Sequence, residues 1–286
     1  MLLLMLMIII ILSVAGLCLG SFVNALVWRL HAQANFSGKK KPSRTQRAQL
    51  SIATGRSICP HCKHQLAARD LIPVLSWLSL KGKCRYCHEP ISPQYPTVEI
   101  ATALLFIVSY ICWPASLTGA QISIFGLWLL ILVGFMALVI YDLRWQLLPN
   151  RIIYPLAAVA AALACINVAV ADRPAKALLG LIFAVAIGGG VFYVLFQVSE
   201  GKWIGGGDVR LGWLLGLVAG TPERSLLLIF LAALLGSLLS IPLLITKRLK
   251  RNSKVPFGPF LILAAVVVQL FGASILQWYQ RTFIQF

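Results

Sequence analysis

The sequence contains very few acidic residues. Only 8 of its 286 residues are Asp or Glu, and charged residues of both signs amount to 12%. A soluble domain typically carries about 25% charged residues. Together with 59% hydrophobic residues and a mean hydropathy of +0.87, this excludes an ordinary soluble globule and predicts a membrane protein. The 25 Lys and Arg residues give a net charge of +17, but they lie between apolar runs.

Several other features are also missing. The first apolar run, MLLLMLMIIIILSVAGLCLGS, has no basic residues before it and is longer than the apolar part of a signal peptide, so we expect it to remain as the first helix. The apolar runs lack the period-two alternation of barrel strands, which favours a helical bundle. No internal repeat is visible, and repeated halves are common in transporters.

The apolar runs predict an all-α fold, a polytopic membrane bundle of about eight spans. A span needs about 20 mostly apolar residues, and the sixth run is shorter than that. We expect three regions: a first transmembrane helix over 1–28, a cytoplasmic four-cysteine loop over 29–97 and a membrane core over 98–286. The predicted spans are residues 2–28, 98–113, 121–141, 152–171, 177–198, 209–220, 225–246 and 257–280.

The distribution of basic residues predicts the orientation. Eight spans place 21 Lys and Arg residues on one side of the membrane and 4 on the other. Because cytoplasmic loops carry the excess of positive charge, we expect the long loop to be cytoplasmic and both termini to be periplasmic. Omitting one span would exchange the sides of all later loops and blur this asymmetry.

Four cysteines in the long loop form two Cys-x-x-Cys pairs. Cys59 and Cys62 make the first pair, and Cys84 and Cys87 make the second, with 21 residues between the two pairs. Two such turns facing each other supply the tetrahedral thiolate shell of a structural zinc site. Two disulfides or free thiols are the alternatives, although disulfides are rare in the cytoplasm. A loop of this size has little core of its own, so zinc would hold it together.

Two of the eight acids lie at predicted span ends on the same side of the membrane. Asp142 ends the third apolar run, and Asp208 follows Gly205, Gly206 and Gly207. Ionisable residues at membrane depth indicate function, and two adjacent carboxylates that share a proton can act as base and acid, as in aspartic proteases. The alternatives for each are a helix cap, an interfacial residue or a partner for a nearby arginine. We expect the glycines to adopt unusual dihedrals and admit a substrate closely.

Several motifs together resemble one known family. The sequence resembles the type IV prepilin peptidases, also called leader peptidase/N-methyltransferases, which are membrane aspartic proteases of the Gly-x-Gly-Asp kind. The motifs that carry the resemblance, besides the cysteine pairs, are Gly20-Ser-Phe-Val-Asn24 with Arg29-Leu30, Asp70-Leu-Ile-Pro-Val-Leu-Ser-Trp77, Ile91-Ser, Tyr95-Pro-Thr-Val-Glu99, Asp142 with Leu148-Pro149-Asn150, Gly205-Gly206-Gly207-Asp208-Val-Arg-Leu211 and Pro256-Phe-Gly-Pro259.

The resemblance implies a specific activity. Asp142 and Asp208 would be the catalytic pair, which removes the short basic leader of a prepilin or a type II secretion pseudopilin after a glycine, at the cytoplasmic face of the bacterial inner membrane. The same protein would methylate the new amino terminus with S-adenosylmethionine. The three glycines, Pro149 and Asn150 would lie along the substrate path. No residue is assigned to the methyl donor.

Two functions of other classes remain as alternatives. An ion-coupled transporter would use Asp142 and Asp208 as carriers, but it predicts acids nearer the membrane midplane. A membrane-anchored zinc protein that binds nucleic acid would use the basic loop around Lys39-Lys-Lys41. We expect no nucleic-acid partner, because the positive charge of cytoplasmic loops already accounts for those lysines.

Overall fold

The described part of the chain is helical. The computed structural model describes residues 2–36, 49–52, 54–246 and 255–283. Those residues contain two isolated β-bridges, one short 3-10 helix, Ala68–Leu71, and nine α-helices. The α-helices are α1 Leu2–Phe36, α2 Leu75–Ser79, α3 Gln94–Ile111, α4 Ala120–Trp145, α5 Asn150–Ala169, α6 Pro174–Val198, α7 Gly206–Ala219, α8 Pro222–Ile245 and α9 Gly258–Phe283.

The predicted all-α membrane fold is confirmed. Each of the eight predicted spans overlaps a helix. Seven of the helices in the described residues are long and apolar enough to cross a membrane. The exception is the sixth predicted span, α7. Its 14 residues extend about 21 Å at 1.5 Å per residue, less than the roughly 30 Å of a hydrocarbon core.

The chain divides into two compact units, Met1–Ile111 and Cys112–Phe286. In the first unit, α1 packs against α3. Gly16 and Gly20, one turn apart on α1, make this contact close: a Cβ on Gly16 would lie 2.5 Å from Ala103 Cα, and one on Gly20 2.7 Å from Glu99 Cα. Small residues at such spacing let two membrane helices approach backbone to backbone.

The first helix extends to Phe36, past its predicted end at residue 28. Arg29 explains part of the difference. Its guanidinium group is almost buried, and it donates hydrogen bonds to the carbonyls of Ser51, Ile52 and Gly55 at 2.8–3.2 Å. These contacts stabilise an extra helical turn by pairing it with the returning chain.

In the second unit, the short helix α7 is a central element. It packs against α5, α6, α8 and α9. Leu211, Leu214 and Leu215 are at most 1% exposed. A Cβ on Gly212 would lie 2.5 Å from the carbonyl oxygen of Gly188 on α6. Gly188 therefore makes a close packing contact with α7. The core of the unit thus surrounds the helix that carries Asp208 at its start.

Candidate active site and metal centre

Asp142 lies in the last turn of α4 and is buried. Its side-chain Oδ2 accepts a hydrogen bond from the backbone N–H of Gly258 at 3.1 Å, and the residue is 5% exposed. Gly258 is the first residue of α9. The beginning of a helix presents free N–H groups and positive partial charge, which favours a carboxylate in its ionised form.

Gly258 has no room for a side chain. A Cβ at this position would lie 2.6 Å from Asp142 Oδ2 and 3.6 Å from Leu148 Cδ2. The first of these distances is shorter than any real Cβ contact with an oxygen. Only glycine therefore lets the backbone of α9 approach the carboxylate of Asp142 closely enough to donate this hydrogen bond.

Asp208 occupies the third position of α7. Its Oδ2 accepts a hydrogen bond from the N–H of Gly205, the residue before the helix, at 3.3 Å. The side chain thus satisfies a free donor at a helix start, as capping residues do. The negative charge of Asp142 also acts on Asp208. Both predicted carboxylates therefore lie in the second unit, each bonded to a glycine N–H at a helix start and close enough to repel the other.

The three glycines before Asp208 do not have the unusual dihedrals that we expected. Gly205 has an ordinary extended backbone at φ −76°, and Gly206 and Gly207 begin the helix without a positive φ. Their small size matters for a different reason. A Cβ on Gly207 would lie 3.1 Å from Leu148 Cβ. The glycine run therefore permits the segment after α4 to pack against the first turn of α7.

Pro149 and Asn150 connect these elements. Pro149 is the N-cap residue of α5, and Asn150 is its first residue. The guanidinium group of Arg210 contacts Asn150 Oδ1, and its Nε donates a hydrogen bond to the Gly206 carbonyl at 2.9 Å. Arg210, an alternative partner for Asp208, thus binds the start of α5 to the start of α7 instead. It holds the loop that follows Asp142 against the turn that carries Asp208.

The four cysteines of the long loop form one cluster in the first unit. Their sulfur atoms all lie within 4.8 Å of one another, and Cys59 Sγ is 3.9 Å from Cys87 Sγ. Zn–S bonds of about 2.3 Å in a tetrahedron place sulfurs roughly 3.8 Å apart. The cluster can therefore hold a metal ion with small adjustments, as the spacing of the two pairs predicts.

Two similar turns build the cluster. In the first, Lys63 N–H donates to the Cys59 carbonyl and Cys59 N–H to the His64 carbonyl. In the second, His88 and Glu89 take the places of Lys63 and His64 around Cys84. Lys63 and His88, which follow the last cysteine of each pair, have φ near +60°. This backbone region reverses the chain tightly, so both turns point their thiols inward.

The thiols in the cluster influence one another. Burial opposes ionisation of Cys84, but N–H groups of Cys87 and Tyr86 and the neighbouring thiols stabilise the thiolate and lower the pKa of Cys84 to about 7. An N–H of Glu89 favours the Cys87 thiolate, yet burial and the three other thiols raise the pKa of Cys87 to about 12. Without an ion, the cluster thus favours one thiolate at the expense of another, whereas a divalent cation stabilises all four.

Side chains between the cysteines support the second turn. Arg85 donates to Asp70 Oδ1 at 2.7 Å, and the Tyr86 hydroxyl donates to Asp70 Oδ2 at 2.9 Å. Burial disfavours the Asp70 carboxylate, but these hydrogen bonds and the Ala67 N–H outweigh it and lower the pKa of Asp70. The His64 ring stacks on Tyr86 at 3.7 Å and so also contributes to this support.

Sequence reasoning assigned no role to three residues that the structure connects to these sites. Gly258 holds Asp142, Arg29 binds the returning loop, and Glu99 accepts the Val74 N–H at 2.7 Å while being 6% exposed. All three belong to motifs quoted for the family resemblance. The sequence offered two signals for them: a charged residue near a helix end, for Arg29 and Glu99, and a glycine between two prolines, for Gly258. Neither signal identifies the group to which the residue is hydrogen-bonded.

Comparison with known proteins covers nearly the whole chain. Residues 14–113 match the bacterial peptidase A24 N-terminal domain, and residues 129–241 match the type IV leader peptidase family. Three relatives are each named prepilin leader peptidase/N-methyltransferase. The relative from Aeromonas hydrophila is 31% identical, over 94% of this chain and 92% of its own length. The relative from Pseudomonas aeruginosa is 32% identical over 95% and 91%, and the one from Bacillus subtilis is 33% identical over 80% and 87%. No solved structure matches the chain.

Proposed function

The chain belongs to the type IV leader peptidase family, and we propose that Asp142 and Asp208 are the acid–base pair with which it acts. As a member of this family, the protein removes prepilin leaders and carries out N-methylation. The observation that carries the catalytic assignment is the pairing of two carboxylates in one unit, each held by a glycine N–H at the start of a helix. Like-charge repulsion between them favours a state in which the pair holds one proton.

The chemistry that follows is peptide hydrolysis by general acid and base. The ionised carboxylate removes a proton from water, and the hydroxide oxygen adds to the carbonyl carbon of the peptide bond. The protonated carboxylate gives its proton to the oxyanion. The C–N bond then breaks as the leaving amine takes the proton that the first carboxylate removed from water, and the second carboxylate takes back a proton from a hydroxyl of the tetrahedral intermediate as the C=O bond re-forms. The leader departs with a new carboxyl group, and the pilin keeps a new amino terminus. Either aspartate can take either role, because a coupled pair titrates as a unit.

The substrate we propose is a prepilin or a type II secretion pseudopilin with a glycine before the cut. Leu148 packs against Gly207 and lies next to Gly258, so little space remains beside the two carboxylates. A residue without a side chain suits such a site. The apolar pilin helix would enter from the bilayer of the bacterial inner membrane, while the basic leader stays on the cytoplasmic side. We place both termini of the enzyme in the periplasm.

Two further groups belong to the proposal. The four cysteines would hold a structural zinc ion, because four thiolates fill a tetrahedral shell and leave no position for a reacting water. S-adenosylmethionine would supply the methyl group for the new amino terminus. We propose the region 29–97, which contains the cysteine cluster, as the part of the chain concerned with methylation.

The experiment that tests the catalytic pair is prepilin cleavage in liposomes. The wild type, Asp142→Asn and Asp208→Asn receive the same prepilin, and mass spectrometry follows loss of the leader. Both variants should lose cleavage, since asparagine cannot exchange the proton. Asp172→Asn, at an exposed loop position, is the matched control and should cleave normally.

The same assay decides the remaining points. Addition of S-adenosylmethionine to the wild type should raise the product mass by one methyl group. Full cleavage by either Asp142→Asn or Asp208→Asn would exclude the acid–base pair. If the well-folded wild type cleaves none of several prepilins, ion transport becomes the favoured function. A proton-flux measurement in the same liposomes would then test it.

A further inference from the structure

One motif of the first unit has no part in the cleavage chemistry. The segment Asp70–Trp77 contributes to the family resemblance, yet several of its apolar side chains are exposed. Leu75 and Leu78 on α2 are 65% and 57% exposed, and Leu71 and Ile72 before it are 40% and 47% exposed. These four residues, the 71–78 patch, are exposed apolar side chains close together in sequence, on a loop with little core of its own.

The orientation of this segment is determined by its other side. Trp77 donates a hydrogen bond from Nε1 to the carbonyl of Ile91 at 3.1 Å. Its ring also lies against Gly82, where a Cβ would meet it at 3.0 Å. The large aromatic side chain therefore faces the cysteine-cluster loop. Leu75 and Leu78, three residues apart on the same helical face, remain on the outside.

A buried carboxylate determines the depth of this segment relative to the membrane helices. Glu99 Oε2 accepts the Val74 N–H at 2.7 Å, so the backbone between Ile72 and Leu75 lies beside the second turn of α3. The 18 residues of α3 extend about 27 Å, which is close to the thickness of the hydrocarbon core. Glu99 is five residues along α3, about 7.5 Å from its beginning. Because the span predicted at residues 98–113 begins one residue before Glu99, Val74 lies near the level where this predicted span begins.

The charges around the patch are positive. Arg69 precedes it, Lys81 and Lys83 follow it, and all three are exposed. The acid inside the segment, Asp70, is already bound to Arg85 and Tyr86. An apolar surface bordered by cations is the pattern of protein segments that lie in the interface of an anionic membrane.

We propose that the 71–78 patch docks the cysteine-cluster loop onto the bilayer, with its four apolar side chains among the lipid headgroups and upper acyl chains and with Arg69, Lys81 and Lys83 against anionic headgroups. The bond from Val74 to Glu99 holds the patch at this depth. The loop would then lie flat on the membrane. This inference concerns the loop alone and does not depend on the assignment of the catalytic pair.

The charge distribution favours lipid over the other occupants of an apolar surface. A basic leader segment would meet Arg69, Lys81 and Lys83 as like charges. A second copy of the chain would bring the same cations into contact with themselves. Anionic headgroups are the partners that both the apolar side chains and the flanking charges attract.

Site-specific photo-crosslinking tests this docking. Full-length protein carries p-benzoylphenylalanine in place of Leu75 or of Leu78 and is placed in nanodiscs of phosphatidylcholine with or without phosphatidylglycerol. The matched control carries it in place of His61, which is exposed in the first cysteine turn. Mass spectrometry then identifies what each position has captured. Thiolate absorption of bound cobalt shows that the loop is folded in every variant.

Positions 75 and 78 should capture lipid about fivefold or more above position 61, as expected for side chains inserted below the headgroups. Capture should increase with phosphatidylglycerol, and Lys81→Gln with Lys83→Gln should reduce that increase. Three results would overturn the proposal: equal lipid capture at all three positions, capture of peptides from this chain or a second copy, or capture of an added prepilin in preference to lipid. Prepilin cleavage is measured in parallel, so a failure of the catalytic assignment would be distinguished from a failure of the docking proposal.

Discussion

Gly258 is the single residue on which the placement of Asp142 depends most directly. Its N–H bonds the carboxylate, and a Cβ would come within 2.6 Å of the same oxygen. The same Cβ would also lie 3.6 Å from Leu148 Cδ2. The position therefore requires glycine for close approach, although its backbone does not have a positive φ.

Gly258→Ala should reduce prepilin cleavage by about 100-fold, the effect of a displacement near 1 Å in a catalytic group. The reason is that the new methyl group must push the Asp142 carboxylate away from its N–H donor. Turnover and KM are measured separately, and turnover should carry most of the loss. Gly126→Ala, in the same helix as Asp142 with no atom within 4 Å of the added Cβ, is the matched control and should keep normal turnover. Equal turnover in the two variants would refute the role of Gly258.

At the scale of elements, the two cysteine turns depend on each other. Each turn is closed by its own backbone hydrogen bonds, but the contacts between them are few: the thiol cluster and the stacking of His64 on Tyr86. Because metal binding in such small elements is coupled to folding, the metal should contribute most of the stability of this loop.

Cys84→Ser should therefore lose the bound zinc and open the loop to proteases between residues 56 and 93. Metal analysis should find one zinc ion per chain in the wild type and almost none in the variant, and limited proteolysis should cut the variant in that segment. Acidification should have a similar effect, because protons compete with the metal for the thiolates. Cys165→Ser, at an exposed position of α5, should keep its zinc. Full zinc retention by Cys84→Ser would contradict the four-thiolate site.

At the scale of the whole molecule, the short helix α7 decides the topology. If it crosses, eight crossings place both termini on one side of the membrane. If it does not cross, the five basic residues between 247 and 254 lie on the side of the membrane that has few basic residues, which opposes the positive-inside tendency. Its 14 residues can cross where surrounding helices cover it and the bilayer thins locally.

We therefore expect a periplasmic carboxyl terminus. Alkaline phosphatase fused after Phe286 should be active, since that enzyme works only outside the cytoplasm, and the same reporter fused after Thr246 should be inactive. A fusion after Arg56, in the long loop, should also be inactive and serves as the reference. An active fusion after Thr246 combined with an inactive one after Phe286 would show that α7 does not cross.

Hydropathy and residue spacing are enough to predict the class of the fold and the composition of the candidate sites. Long apolar runs admit only helices in a bilayer, so the eight helical positions follow from hydropathy alone. The two Cys-x-x-Cys pairs are enough to predict the four-cysteine cluster, because the ligand type and the spacing within each pair are read directly from the local sequence. The acids Asp142 and Asp208 were recognisable because charge at membrane depth is costly and rare.

How these residues are held depends on contacts between distant parts of the chain. The bond from Gly258 to Asp142 joins positions 116 residues apart, and that from Val74 to Glu99 joins two segments of the first unit. No local pattern specifies such partners, because a glycine N–H or a buried carboxylate has the same chemistry wherever it lies. The glycines before Asp208 show the same limit. Their sequence suggested unusual dihedrals, whereas packing of Gly207 against Leu148 in an ordinary helical turn is what requires a small residue there.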